Sequence, residues 1–118
     1  MKPYILLFFL AVFVLGETRA QNEFDLNPSQ SMLMTGKGQG QDGAVNPYYG
    51  QTCYAIVENR GKGDFSVRIQ QDGEIIETIT VAGMEVKRIK LLKDHELYID
   101  SGAEDRAKLK LEFEKIEN

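Results

Sequence analysis

From residue 52 onward, short runs of alternating apolar and polar residues follow one another, and turn-forming residues separate them. The cleanest run, residues 65–70, places Phe65, Val67 and Ile69 on one face. Successive side chains of a β-strand point to opposite faces, so a period of two residues is the pattern of a half-buried strand. This part of the chain is therefore predicted to be built from strands.

A β-hairpin is predicted around Asp72-Gly73, because this dipeptide between two apolar runs is a strong hairpin signal. A two-residue loop would pair Ile69 with Ile76. A three-residue loop would pair Ile69 with Ile75 and place Gly73 in the left-handed position of a bulge. We favour the three-residue loop, since it joins more apolar side chains on one face.

The last run, residues 107–116, is rich in residues that also form helices. Leu109, Leu111 and Phe113 recur every two residues, which would spread them around a helix, so a strand is predicted. In residues 84–92 the alternation shifts between Val86 and Ile89, which predicts a bulge.

About six strands with short turns predict an all-β fold, a small antiparallel β-sandwich covering residues 52–118. Such a domain resembles the small immunoglobulin-like modules of exported bacterial proteins. A likeness of fold alone implies little about function.

Residues 21–51 have a different composition, with many Gly, Asn, Gln and Ser and no apolar period. They are predicted to form an irregular, flexible arm that precedes the domain. Two short apolar islands interrupt it, at residues 24–26 and 32–34, and residues 46–50 are predicted to form a turn.

The first 20 residues predict export. A basic start is followed by the 12-residue apolar run 4–15 and then by Thr18 and Ala20, three positions and one position before Gln21. This is the pattern of a secretory signal peptide, and the run is short for a bilayer-spanning helix, which needs ~20 apolar residues. The expected location is periplasmic or extracellular.

The charge balance argues against some classes of binding partner, and the single cysteine excludes an intrachain disulfide. After cleavage the chain would carry 12 Lys and Arg against 17 Asp and Glu. This balance argues against nucleic acid and against anionic membranes as partners. Cys53 is the only cysteine, so an intrachain disulfide is excluded, and its place at the start of an apolar run predicts burial.

No motif points to a cofactor, a metal ion or a catalytic site. Residues 38–43 fit G-x-G-x-x-G, but no helix pattern follows, as a dinucleotide site requires. The same stretch matches only one copy of a calcium-binding nonapeptide, a motif that works by repetition. His95 lies in a polar turn without a nucleophile pattern, so an enzyme is not expected. A loop calcium site built from acidic residues stays open; the residues considered are Asp64, Asp100, Glu104 and Asp105.

The expected function is protein interaction or self-assembly outside the cytoplasm. Met32, Leu33, Met34 and Thr35 in the arm are candidates to add a strand to a neighbouring subunit. If so, removing residues 21–45 should leave the domain folded. The alternative is a glycan- or peptide-binding module that uses Tyr48, Tyr49 and Tyr98, of which Tyr98 is predicted to point outward between Leu97 and Ile99.

Overall fold

The computed structural model describes residues 22–38 and 40–116, so the predicted signal peptide lies outside the described residues. The described residues form eight β-strands and contain no helix, hence none that could cross a membrane. The strands are β1 (Glu23–Leu26), β2 (Ser31–Thr35), β3 (Cys53–Asn59), β4 (Phe65–Gln71), β5 (Glu74–Val81), β6 (Val86–Leu91), β7 (Glu96–Ser101) and β8 (Ala107–Lys115).

Two four-stranded antiparallel sheets pack face to face. Sheet 1 has the order β1-β8-β3-β6, and sheet 2 has the order β2-β7-β4-β5. The apolar residues of the alternating runs lie between them, as predicted for β4 and β8: Phe65, Val67, Ile69, Leu109 and Leu111 are all buried. The predicted all-β antiparallel sandwich is therefore confirmed.

Strands from opposite ends of the chain pair with each other: β1 with β8, β2 with β7, β3 with β6, and β4 with β5. This is the connectivity of a jelly roll. The immunoglobulin-like order is not found, because an immunoglobulin domain pairs its first strand with its second. The difference comes from β1 and β2, which lie in the segment predicted to be an arm.

The predicted domain boundary at residue 52 is corrected by these two strands. β1 pairs with β8, whose partner residues lie 81 to 87 positions away along the chain, and β2 pairs with β7, whose partner residues lie 62 to 69 positions away. Phe24, Leu26 and Met34 are buried in the core. Strands of four and five residues carry too short a pattern to be recognised locally, and they are fixed by pairing with distant strands. Residues 36–38 and 40–52 form no strand, in keeping with the predicted irregular course.

The hairpin differs from the favoured prediction. Gln71 pairs with Glu74, so the loop has two residues, and both Asp72 and Gly73 have positive φ, as a type I′ turn requires. The register then shifts at Ile76, so that Ile69 faces Glu77 instead of Ile75 or Ile76. The bulge restores the apolar pairing of β4 with the rest of β5.

The bulge predicted in residues 84–92 is absent. β6 pairs with β3 in an unbroken register from Val86 to Leu91. Val86 lies on the outer face of sheet 1 and is exposed, whereas Ile89 and Leu91 are buried. The shift of alternation marks an exposed apolar residue at the start of an edge strand.

Candidate functional site

Three connections meet at one end of the sandwich, which we call the loop end. They are the β2–β3 loop (residues 36–52), the β4–β5 turn and the β6–β7 turn. The register places them together, since Thr35 pairs with Leu97 and Gln70 pairs with Glu96. They line an open concavity of about 500 Å³. Its lining residues are Gly36, Tyr49, Gly50, Asp72, Lys93, Asp94 and Glu96.

A carboxylate organises the β2–β3 loop from within. Asp42 accepts hydrogen bonds from the backbone N–H groups of Gly36 (3.1 Å), Lys37 (2.8 Å) and Gly38 (3.0 Å). The Thr35 hydroxyl donates a fourth, at 3.2 Å. Successive backbone N–H groups of this kind form an anion-binding nest. The G-x-G-x-x-G stretch therefore lies beside a nest that the chain's own Asp42 occupies, a role that the motif did not indicate.

Gly36 is required by this arrangement for two reasons. Its φ is +126°, a conformation that residues with a side chain rarely adopt. A Cβ at this position would lie 2.6 Å from the Cα of Glu96 on β7. The close approach holds the β2–β3 loop against the start of β7.

Tyr48 and Tyr49 lie in the predicted turn, but they face different surroundings. The turn is closed by hydrogen bonds from the Tyr49 N–H to the Asn46 carbonyl (3.2 Å) and from the Gln51 N–H to the Tyr48 carbonyl (3.1 Å). Tyr48 is half-buried and packs against the core. Tyr49 is 51% exposed and lines the concavity, so it is the tyrosine of this pair that a ligand can reach.

Cys53 lies at the start of β3 and is 1% exposed, which confirms the predicted burial. Burial raises the pKa of its thiol, and a hydrogen bond from Asn46 partly opposes that rise. The Asn46 amide nitrogen lies 3.7 Å from the Cys53 sulfur and 3.4 Å from the Thr35 hydroxyl oxygen. A protonated, buried thiol is a poor nucleophile.

Tyr98 does point outward from β7, as predicted, but it does not join the other tyrosines. The Arg68 guanidinium lies 4.3 Å from the centre of its ring and covers it. Arg68 also donates hydrogen bonds of 2.8 and 3.0 Å to the two carboxylate oxygens of Asp100. These bonds lower the pKa of the Asp100 carboxyl, and they raise that of the Arg68 guanidinium. The structure therefore places the three tyrosines in three different surroundings, and no shared platform forms.

The strand-addition candidates are already part of the fold. Met32, Leu33, Met34 and Thr35 belong to β2, whose pairing partner is β7, and Met34 and Thr35 are buried. The N–H groups of Gly43 and Ala44 donate hydrogen bonds to the carbonyls of Leu33 and Met34, so the loop folds back onto this strand. This segment is occupied within its own chain.

Large exposed apolar side chains lie in two places. Val45, Tyr49 and Leu92 are at the loop end, and the other four belong to β5, to β6 or to the turn that joins them: Ile75, Ile76, Met84 and Val86. Sequence reasoning missed this second group. The signal available was Ile75-Ile76, two adjacent apolar residues in a run that otherwise alternates.

His95 and the acidic loop residues form no reactive cluster. The His95 Nδ1 accepts a hydrogen bond of 3.1 Å from the Leu92 N–H within the β6–β7 turn. Asp64 accepts a hydrogen bond from the Gly83 N–H, and Asp100 is held by Arg68. Among residues 22–38 and 40–116, no group of three or more His, Cys, Asp or Glu side chains could hold a metal ion.

Comparison with known proteins found no match: no family model, no curated protein and no solved structure matches this chain.

Proposed function

We propose that this chain is an exported, non-enzymatic β-sandwich module that binds other protein chains outside the cytoplasm. The observation that carries the proposal is the placing of the exposed apolar side chains. All seven of the large ones among the described residues lie at the loop end, along β5 and β6 or in the turn that joins these two strands. Apolar patches with a polar surrounding are typical of interaction surfaces on soluble proteins.

The loop end has the character of such a surface. Val45, Tyr49 and Leu92 are at least half exposed, and they come from two different connections. Charged residues border them, among them Lys93 and Asp94 in the β6–β7 turn. An apolar centre with a polar rim is the usual anatomy of a protein interface.

The test compares binding partners of the chain and of a loop-end variant. Residues 21–118 are tagged at residue 21, because β8 ends beside the loop end, where Lys115 pairs with Cys53. Partners are cross-linked in an envelope extract and identified by mass spectrometry. Val45→Ser, Tyr49→Ser and Leu92→Ser together should remove partners that Lys108→Ser, a control on the outer face of sheet 1, retains. An identical set of partners with both variants would contradict the proposal.

The alternative is a glycan- or peptide-binding module that uses the concavity. Tyr49 supplies one aromatic face there, and Lys93, Asp94 and Glu96 supply polar groups. Few precisely placed polar groups beside an aromatic side chain are typical of small-ligand sites. Tyr49→Ala should abolish binding on glycan and peptide arrays, whereas Tyr48→Ala would also disturb the core. Unchanged array binding by Tyr49→Ala would contradict this alternative.

A further inference from the structure

Each sheet has two edge strands, and one edge strand of each sheet lies on the same lateral side of the sandwich. β5 ends sheet 2 and β6 ends sheet 1, and residues 82–85 join them, so both edges lie on what we call the β5–β6 side. Within the described residues, no other strand pairs with the outer edge of either. A free edge presents unpaired N–H and C=O groups and is a template for pairing with another chain.

The β5–β6 side also exposes four large apolar side chains. Ile75, Ile76 and Val86 are each more than half exposed, and Met84 is 73% exposed. Met84 also has a φ of +66°, where Gly or Asn would fit with less strain. A strained and exposed methionine gives no benefit to the isolated chain, which favours a contact that it makes with something else.

The two edges carry opposite charges. β5 contains Glu74 and Glu77 and no basic residue, whereas β6 contains Lys87, Arg88 and Lys90 and no acidic residue. Glu74, Glu77 and Lys90 form no ion pair within the described part of the chain. Lys87 pairs with the neighbouring Glu85 at 3.5 Å.

The two edge strands also carry charges of opposite sign on the faces that point toward the core. Glu77 on β5 lies opposite Ile69, and Lys87 on β6 lies opposite Val57, so each edge has one charged residue in line with buried ones. Alone, such residues discourage pairing. Glu77 lies nearer the loop end and Lys87 nearer the opposite end, so in a shared seam the two charges attract each other without lying directly opposite.

We propose that a second copy of this chain docks on the β5–β6 side, with β6 of each copy alongside β5 of the other. This inference rests on the proposed interaction function and names its partner and its surface. β5 runs away from the loop end and β6 runs toward it, so a two-fold axis parallel to the strands brings them together antiparallel. Each sheet then continues into a sheet of the other copy, and the interface is isologous.

Charge selects this two-fold axis over the other one that could join the same sides. An axis perpendicular to the sheets would place β5 against β5 and β6 against β6. Two acidic strands would then lie side by side, as would two basic ones, and like charges on neighbouring strands are unfavourable. The axis parallel to the strands also turns both loop ends in the same direction, which creates a bivalent binding surface.

The test is the mass of residues 21–118 by light scattering and sedimentation over a concentration series. The wild-type chain should dimerise. Glu77→Lys and Lys87→Glu should each weaken dimerisation by about tenfold or more, because an attraction along each seam is then replaced by a repulsion. An equimolar mixture of these two variants should form a heterodimer, and the double variant should recover the dimer. The recovery in the double variant is specific to pairing of β5 with β6, because pairing of β5 with β5 and of β6 with β6 would again bring like charges together.

Met84→Asn tests the apolar contact, since Asn tolerates positive φ and the variant should remain folded. It should weaken the dimer, whereas Val45→Ser at the loop end should not. Circular dichroism checks that each variant is folded. A monomeric wild-type chain, or a dimer that resists both charge reversals, would overturn the inference. If such a chain still bound partners through the loop end, the proposed function would survive.

Discussion

The Asn59 side chain donates a hydrogen bond of 3.0 Å to the Val81 carbonyl and thereby joins the end of β3 in sheet 1 to the end of β5 in sheet 2. The same amide nitrogen donates a hydrogen bond to the Gly63 carbonyl at 2.9 Å. The side-chain oxygen of Asn59 accepts a hydrogen bond from the Gly61 N–H at 2.9 Å. Asn59 is 1% exposed, and its bond to the Val81 carbonyl is buried. One polar side chain thus fixes the β3–β4 loop and links the two layers.

Replacing Asn59 by leucine should destabilise the fold by about 2 to 3 kcal/mol, because the substitution leaves the buried Val81 carbonyl and the loop groups without partners. Urea unfolding followed by circular dichroism measures the free energy of unfolding. Asn22→Leu is the control, with an expected change within about 0.5 kcal/mol. Equal effects of the two substitutions would contradict the linking role.

Asp42→Asn should destabilise the chain by about 1 to 3 kcal/mol, since the side-chain NH₂ cannot accept the backbone N–H bonds that the carboxylate accepts. Thermal and urea unfolding would report the loss. Asp94→Asn in the exposed β6–β7 turn serves as the matched control. Hydrogen exchange at Gly36, Lys37 and Gly38 should also accelerate in Asp42→Asn, and unchanged protection there would argue against the nest.

The Arg68–Asp100 pair should make stability depend on acidity. The folded-state pKa of Asp100 is lowered mainly by its hydrogen bond to Arg68. Its contribution is therefore complete above the ordinary aspartate pKa of about 3.9 and disappears as the pH falls through the lower folded-state value. Asp100→Asn should cost about 1 kcal/mol at neutral pH, and it should flatten the pH profile of the unfolding free energy in the acid range. If the unfolding free energy of Asp100→Asn still fell in acid as steeply as that of the wild-type chain, the role given to the Arg68–Asp100 pair would be contradicted.

Removing residues 21–45 should prevent folding, in contrast to the expectation for a separable arm. The deletion would take away β1 and β2 together with the buried side chains of Phe24, Leu26, Met34 and Ala44. Loss of large buried apolar side chains costs about 2 to 5 kcal/mol each, which approaches the whole stability of a small domain. A cooperative urea transition in the 46–118 fragment would refute this expectation, and residues 21–118 provide the reference.

The strands that the sequence predicted are those whose alternation is long enough to recognise. Phe65, Val67 and Ile69 define the inner face of β4 without reference to any other strand. Met34, by contrast, lies in a five-residue strand with two other apolar residues beside it, and it is buried because β2 pairs with β7. Its inward direction depends on a register that the local sequence does not specify.

The features of the candidate site were likewise predicted only in part from the sequence. The burial of Cys53 was predicted from the sequence, whereas the different exposure of Tyr48 and Tyr49 and the cover that Arg68 places over Tyr98 were not. Arg68 and Tyr98 are 30 positions apart and meet because β4 and β7 are neighbours in sheet 2. The sequence also could not show that the exposed apolar residues of β5 and β6 lie on edge strands, because this depends on the strand order of the two sheets.

By itself, the sequence determined the all-β class, the inner faces of β4 and β8, and the burial of Cys53, since these follow from a local period of two and from side-chain polarity. The tertiary structure decided that Phe24, Leu26 and Met34 belong to the core and that the first strand pairs with the last. It also decided that Asp42 fills the nest beside Gly36. These features depend on hydrogen bonds and contacts between segments far apart in the chain, whose register no local pattern encodes.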